Sequence, residues 1–590
     1  MNSESTSPFD ALARSNLNSA WGALAVDVLA RLGVQTIVTS PGSRSTPLTV
    51  AAVRNPKVEA LTILDERSAS FFALGLAKSS RRPVGLVCTS GSALANYMPA
   101  VVESSMSGVP LILMTADRPP ELQDCNSGQT IDQLKIYGDF TRFFHSLALP
   151  ELTLMRYLRQ TLVHAVFRSL QPAPGPVHLN FPFRDPLTPE PEQDAVCSTE
   201  YLEQAATVVA RSCEAERPPG SFDSVVVERM ASHRRGLIVV GAECPPEGDK
   251  AFSAAVIELA QKLGWPIIAD ALNPLRNQLS SEGVLITSYD AFLRQSRTAD
   301  RLEPSCVLQI GSLPTSKVLR AWLARIDPVS FLLTRLGDNN DPLHRTAIPL
   351  YGGAQELNRS VPDREGDSTW LEVWEEAEQV TRKVIDGKLD EETSLFEGKV
   401  AWLISQHVPE GSKVFLANSM SVRYAEYFWK PNRRSLENFC NRGANGIDGT
   451  LSTAMGVAHG GASAILLTGD LAFLHDSNAF LARAQMRGSL TVVVINNSGS
   501  GIFEHLPIAE CKEVFETYFA TPQTVDIGKL CLAHGIPHRI VKSWPGFIEL
   551  IRARLGAGIR VIEVPTDRKA DVAQLRTLLQ RIAEGDGQHS

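Results

Sequence analysis

The segment Ala464–Asp470, AILLTGD, followed about 25 residues later by Leu490–Asn497, LTVVVINN, decides how the 590-residue chain folds. Each is an unbroken aliphatic and β-branched run that stops on small polar residues, the pattern of a strand buried on both faces in a parallel sheet. Gly469-Asp470 and Asn496-Asn497 then fall at strand C-terminal ends, which in an open α/β sheet form the ligand crevice. Either dipeptide alone reads as an ordinary turn. Together, an Asp carboxylate, an Asn amide oxygen and a backbone carbonyl beside a Gly offer hard oxygens to a cation that bridges phosphates. Asp470, Asn497 and the Gly499 carbonyl are the candidate metal ligands.

Working outward, the same rhythm recurs. VQTIVTS (Val34–Ser40), PVGLVCTS (Pro83–Ser90) and VPLILMTA alternate with helix-like segments in the first third. GLIVVGAE, PIIADAL and CVLQIG repeat it in the middle, and KVFLANS and IRVIEVP flank the opening pair in the last third. The expectation is α/β: three parallel-sheet α/β domains. A Pro-rich acidic stretch containing PEPEQD and ERPPG reads as a surface connector. This places a first domain at residues 1–190, a linker at 191–219, a central domain at 220–370 and a third domain at 371–590. The polar run PDREGDS (Pro362–Ser368) leads into the last of these.

Composition narrows the function classes. A net charge of -8 argues against a general nucleic-acid binder. The nine cysteines are scattered without a CxxC pair, which reads as reduced thiols in a cytosol-like compartment. The polar N-terminus lacks a basic and then apolar leader pattern, and no apolar run reaches the roughly 18 residues of a membrane span; a cytoplasmic protein with no membrane span is expected. GxGxxG after a strand, GxxxxGK[ST], HExxH and GxSxG are all missing, so dinucleotide, Walker, zincin and serine-hydrolase readings lose support.

Gly-Asp followed at this spacing by Asn-Asn resembles the cofactor motif of the thiamine diphosphate superfamily. The segment Leu64–Ala69, LDERSA, follows a strand and opens a helix, where superfamily members carry the Glu that hydrogen-bonds N1′ of the aminopyrimidine. Glu66 is that candidate. Further segments are SPGSRSTPL (Ser40–Leu48), TADRPPEL (Thr115–Leu122), NSGQ (Asn126–Gln129), NSMSVR (Asn418–Arg423), NRGANGIDG (Asn441–Gly449) and SGSGIFEHLP (Ser498–Pro507). They closely resemble the family of 2-succinyl-5-enolpyruvyl-6-hydroxy-3-cyclohexene-1-carboxylate synthases, strongly in the first and third units and weakly in the middle.

That resemblance implies pyrimidine-binding, central and diphosphate-binding domains, thiamine diphosphate with Mg2+ or Mn2+, and the substrates isochorismate and 2-oxoglutarate. It implies decarboxylation of 2-oxoglutarate and addition of the succinyl carbanion to isochorismate, in menaquinone or phylloquinone biosynthesis. It also implies a homodimer or dimer of dimers whose active sites lie at the subunit interface. Glu66, Arg118 and Gln129 take catalytic places. Ser419, Gly446, Ile447, Gly469, Asp470, Asn497 and Ile502 join Glu66 around the cofactor, with Ile447 as the wedge that bends it. Arg44, Arg118, Gln129, Lys317, Ser419, Arg423 and Arg442 take substrate polar groups, and Ile502, Phe503 and Leu506 form the apolar wall. Some relatives carry a second basic residue immediately after the lysine, where this chain has Val318.

Physical chemistry supports the arginine assignment independently. Guanidinium groups 4 Å apart repel by about 4 kcal/mol at an effective dielectric of 20, so a cleft that gathers them is built for anions. The two substrates carry two carboxylates each, which suit the arginine fork. His475, His505, Asp476 and Glu504 lie near these motifs and are read as structural or solvated. The leucine spacing of DRKADVAQLRTLLQRIAEG marks a packing face.

Overall fold

In the computed structural model, the structure describes residues 11–12, 15–189, 222–242, 248–278, 283–335, 339–362, 368–461 and 463–584. The expected linker at 191–219 and residues 363–367 of the PDREGDS run lie outside them.

Aliphatic runs form three six-stranded sheets in which every pair is parallel. The first holds β1 (Thr36–Thr39), β2 (Glu59–Thr62), β3 (Val84–Cys88), β4 (Leu111–Asp117), β5 (Phe143–Ser146) and β6 (Val177–Pro182), in the order β2-β1-β3-β4-β6-β5. The second holds β7 (Gly236–Val240), β8 (Ile267–Ala269), β9 (Leu285–Ile286), β10 (Cys306–Ile310), β11 (Val329–Thr334) and β12 (Ala347–Tyr351), in the order β12-β11-β10-β7-β8-β9. The third holds β13 (Lys413–Leu416), β14 (Glu437–Phe439), β15 (Ser463–Gly469), β16 (Ser489–Asn496), β17 (His538–Ile540) and β18 (Gly558–Pro565), in the order β14-β13-β15-β16-β18-β17. The first and third sheets thus share one topology. Three parallel-sheet α/β units are present, as the hydrophobic rhythm predicts.

Helices that matter below are α1 (Glu66–Ser80), α2 (Lys317–Ile326), α3 (Ser368–Glu391), α4 (Glu397–His407), α5 (Met420–Phe428), α6 (Thr450–His459), α7 (Asp470–His475) and α8 (Arg568–Glu584). The boundary expected at 370 falls inside α3. Trp370, Trp374 and Ala377 pack in the central core, whereas Ile385 and Leu389 join the core of the third unit. A single helix therefore couples the two units.

First and third units meet through α1 and α6. One apolar core runs from Leu86 and Leu113 through Phe71, Phe72, Leu451 and Met455 to Leu466 and Val492. Two glycines permit the close approach: a Cβ on Gly75 would stand 2.0 Å from the Thr453 carbonyl oxygen, and one on Gly456 would stand 2.0 Å from that of Phe72. Gly75→Ala gains up to about 1 kcal/mol of helix propensity but must push two backbones apart, an overpacking that costs about 1–3 kcal/mol. Denaturant unfolding should show a net loss of stability, and an unchanged or raised midpoint would contradict this contact.

Candidate active site

The C-terminal ends of the third sheet carry the site. Gly469 pairs with Ile495, so α7 starts beside the Asn496-Asn497 turn. Asp470 is buried; its Oδ1 accepts from the Leu471 amide at 2.8 Å and its Oδ2 from the Gly499 amide at 2.9 Å. Burial raises its pKa against the pull of those amide donors. Asn497 is also buried, and its Nδ2 donates to Glu397 Oε1 at 2.7 Å while its Oδ1 is sealed from solvent with no partner. Gly499 has φ +138, and a Cβ there would lie 2.5 Å from the Ala520 carbonyl oxygen, so only glycine fits.

An orphaned buried amide oxygen beside a buried carboxylate is costly unless something fills the gap. Both are hard oxygen donors, which fits a divalent cation. Among the described residues no group of three His, Cys, Asp or Glu could hold a metal.

Neighbouring loops are tied together by Asn418. Its Nδ2 donates to the Asn441 and Gly446 carbonyls, each at 2.7 Å, and its Oδ1 accepts from Arg442 Nη1 at 3.0 Å. Ser419 starts α5 with φ 69, an unfavourable conformation for a side chain-bearing residue, as befits a functional turn. Ile447 is 36% exposed, so it is not an ordinary core isoleucine. Ile502, Phe503 and Leu506 are half-buried on the short helical turn after Gly501 and its end; Phe503 meets Phe519 edge-on at 5.7 Å.

Glu66 is the first residue of α1, whose cap is Asp65 Oδ1, accepting from the Arg67 and Ser68 amides at 2.9 and 3.2 Å. Its charge adds to the burial that raises the Cys88 thiol and Tyr97 hydroxyl, placing the carboxylate on that side of the first unit. Within the chain this segment faces α7: Arg67 Nη2 donates to the His475 carbonyl at 3.1 Å, and Asn478 Nδ2 to Asp65 Oδ2 at 3.1 Å.

The arginines gather in two groups. In the first unit Arg118 Nη1 donates to Ser90 Oγ at 2.5 Å, and Gln129 Nε2 donates to the Ser90 carbonyl at 3.0 Å. Burial and then the charge of Arg44 lower the Arg118 pKa. Arg44 itself donates to the Phe183 carbonyl at 3.0 Å and lies 3.6 Å from Asp185. In the second group Arg423 Nη1 donates to the Ser419 carbonyl at 2.5 Å. Burial lowers the Arg423 pKa first, followed by the charge of Arg442 and, further down, that of Arg320. Lys317 stands exposed at the start of α2, and Arg320, one turn on, is the central-unit cation whose pKa Arg442 lowers after burial.

Ser90, Asn418, Arg320 and Glu397 were not singled out in the sequence. Ser90 had a signal, since CTSGS follows β3 as the GD turn follows β15, and so had Arg320 at helical spacing from Lys317. Glu397 had none.

Of the neighbouring polar groups, Asp476 and Glu504 are hydrogen-bonded within the chain, whereas the His505 Nε2 is buried without a partner. Asp476 accepts from the Ser452 amide at 2.6 Å and hydroxyl at 3.1 Å, and burial pushes it up to about 6. Glu504 accepts from Arg568 at 2.8 Å. Burial and then the charges of Arg576 and Arg423 lower His505 to about 4, so it is neutral in the working range.

Three family patterns cover the units in order. "Thiamine pyrophosphate enzyme, N-terminal TPP binding domain" matches residues 20–136, "Middle domain of thiamine pyrophosphate" residues 224–416, and "Thiamine pyrophosphate enzyme, C-terminal TPP binding domain" residues 419–564. Among solved structures, benzoylformate decarboxylase from Polynucleobacter necessarius matches with a TM-score of 0.65 at 18% identity, covering 93% of this chain and 98% of that one. The fold and the three matched domains are those of a thiamine diphosphate (thiamine pyrophosphate) dependent enzyme. A 2-succinyl-5-enolpyruvyl-6-hydroxy-3-cyclohexene-1-carboxylate synthase of Gloeothece citriformis is 46% identical over 578 residues, covering 96% of this chain and 99% of the relative. One from Nostoc sp. is 44% identical, covering 97% and 99%. The chain belongs to the family of 2-succinyl-5-enolpyruvyl-6-hydroxy-3-cyclohexene-1-carboxylate synthases.

Because the folded His505 pKa lies below its unfolded value near 6.5, its contribution to stability is complete above that pH. It is lost as pH falls from about 6.5 toward about 4. His505→Gln should therefore flatten the acid limb of the unfolding free energy between those values. An identical limb in both proteins would contradict a neutral buried ring.

Proposed function

We propose that the chain decarboxylates 2-oxoglutarate and adds the resulting succinyl unit to isochorismate, giving 2-succinyl-5-enolpyruvyl-6-hydroxy-3-cyclohexene-1-carboxylate and carbon dioxide. The step belongs to menaquinone or phylloquinone biosynthesis, and the enzyme works in the cytoplasm. The observation that carries the reading is the set of loop arginines, Arg118 on Ser90 in the first unit and Arg423 and Arg442 on Ser419 and Asn418 in the third, together with the sealed Asn497 Oδ1 at the third-sheet strand ends. Such arginines are stabilised when a dianion enters.

Asp470, Asn497 and the Gly499 carbonyl would hold Mg2+ or Mn2+ with the diphosphate, while Gly469, Ser419, Gly446 and Ile502 would line the cofactor and Ile447 would pack against it. Thiamine diphosphate, when bound, supplies the electron sink for the pair left behind as carbon dioxide departs. Glu66 holds a proton against N1′ of the aminopyrimidine. Arg118 and Gln129 orient the reacting carboxylate, and Arg44, Lys317, Ser419, Arg423 and Arg442 fix the remaining acidic groups of two substrates. Ile502, Phe503 and Leu506 exclude water from the apolar side. Residues 1–190, 220–370 and 371–590 serve as pyrimidine-binding, central and diphosphate-binding domains.

Purified protein with thiamine diphosphate, Mg2+, 2-oxoglutarate and isochorismate should consume isochorismate, followed by ultraviolet absorbance, and release carbon dioxide only when all four are present. Consumption of pyruvate with isochorismate untouched would overturn the substrate assignment. The working form is a homodimer or dimer of dimers with each site shared between subunits. Glu66→Gln and Asp470→Ala variants, each of low turnover, should then regain about a quarter of wild-type turnover when unfolded together and refolded, since half the pairs are mixed and one of two sites in each is intact. No recovery would place Glu66 and Asp470 of one chain in the same site.

A further inference from the structure

A side-chain amide can ligate a cation only through its oxygen, and Asn497 could turn either end toward the strand-end site with almost no change of shape. Its surroundings decide which. Behind it lies Glu397, 2% exposed, at the start of α4. Glu397 Oε1 accepts from Asn497 Nδ2 at 2.7 Å and from Thr566 Oγ1 at 3.0 Å. The Glu397 amide donates to Asp571 Oδ1 at 2.8 Å, and Asp571 on α8 is held in turn by the Tyr424 hydroxyl. The acceptor is thus pinned by Thr566 at the end of β18 and, through Asp571, by α5 and α8. Turned the other way, Asn497 would press its Oδ1 against the Oε1 acceptor and point an NH2 group at the cation.

We propose that Glu397 is a positioning residue: by accepting from Asn497 Nδ2 it holds Asn497 Oδ1 toward the divalent cation of the thiamine diphosphate site. This rests on the cation reading of Asn497 given above, and it assigns a task to a buried carboxyl group whose hydrogen bonds run to Asn497, Thr566 and Asp571. Outer groups that orient a metal ligand typically contribute 10–100-fold in metal affinity.

The test uses the full-length apoprotein, stripped by a chelator, with thiamine diphosphate binding read from tryptophan fluorescence over a Mg2+ titration. Glu397→Leu should raise the Mg2+ concentration at half-saturation about 10–100-fold. Glu397→Gln, whose carbonyl still accepts from Asn497 and Thr566, should stay within about threefold of wild type. In an Asn497→Ala background Glu397→Leu should add no further loss, because there is no amide left to orient. Glu397→Asp keeps the acid but withdraws the acceptor by one methylene, and repeats the test where the leucine variant does not fold. The proposal is overturned if a folded Glu397→Leu protein has the wild-type Mg2+ midpoint, if the Gln variant loses as much as the Leu variant, or if the loss is equal with and without Asn497. Wild-type protein that binds thiamine diphosphate with no need of a divalent cation would instead overturn the cation reading itself.

Discussion

Parallel strands end in polar turns, and at the Asn496-Asn497 turn the third sheet turns that necessity into a site by leaving the Asn497 amide oxygen unanswered. The Asn497 amide oxygen is sealed from solvent and has no hydrogen-bond donor, next to an Asp470 carboxylate that burial has already disfavoured as an anion. Such groups are tolerated in a folded protein when a ligand answers them. Much of the surrounding structure serves to hold this arrangement: the β15–β16 register aligns the two turns, Gly499 lets the chain double back under Ala520, and Glu397 occupies the other end of the amide.

A second constraint comes from charge. Guanidinium groups brought out of water and near one another oppose folding, yet Arg118 lies against Ser90 after β3, and Arg423 and Arg442 against Ser419 and Asn418 after β13. Backbone carbonyls and Asn418, rather than carboxylates, hold Arg423 and Arg442, which preserves their positive charge for a ligand. Structural ion pairs elsewhere are built differently: Arg568 is met by Glu504 and Glu516.

The fold was legible because parallel strands buried on both faces write themselves as unbroken aliphatic runs, and because GD and NN mark where two of them stop. The shared strand order of the first and third sheets was not legible, since topology is set by crossover packing that leaves no short-period repeat in sequence. In the site, Asp470, Asn497 and the arginine-bearing loops stood in motifs and could be named. Glu397 could not: a Glu opening a helix reads as a favourable dipole contact, and only the packing of α4 against the β16 turn and α8 gives it a task. Lys317 was visible as a basic residue before a helix, whereas the partial burial of Arg320 beside Arg442 depends on how the central unit docks.

The central claim is that the third-sheet strand ends hold a divalent cation through Asp470, Asn497 and Gly499. A crystal grown with thiamine diphosphate and Mn2+, with anomalous scattering collected at the manganese edge, tests it directly. One strong peak is expected within about 2.5 Å of an Asp470 carboxylate oxygen, Asn497 Oδ1 and the Gly499 carbonyl, close to the distances of hard-oxygen coordination. A peak elsewhere, or an Asn497 oxygen still without a partner in the loaded protein, would contradict it.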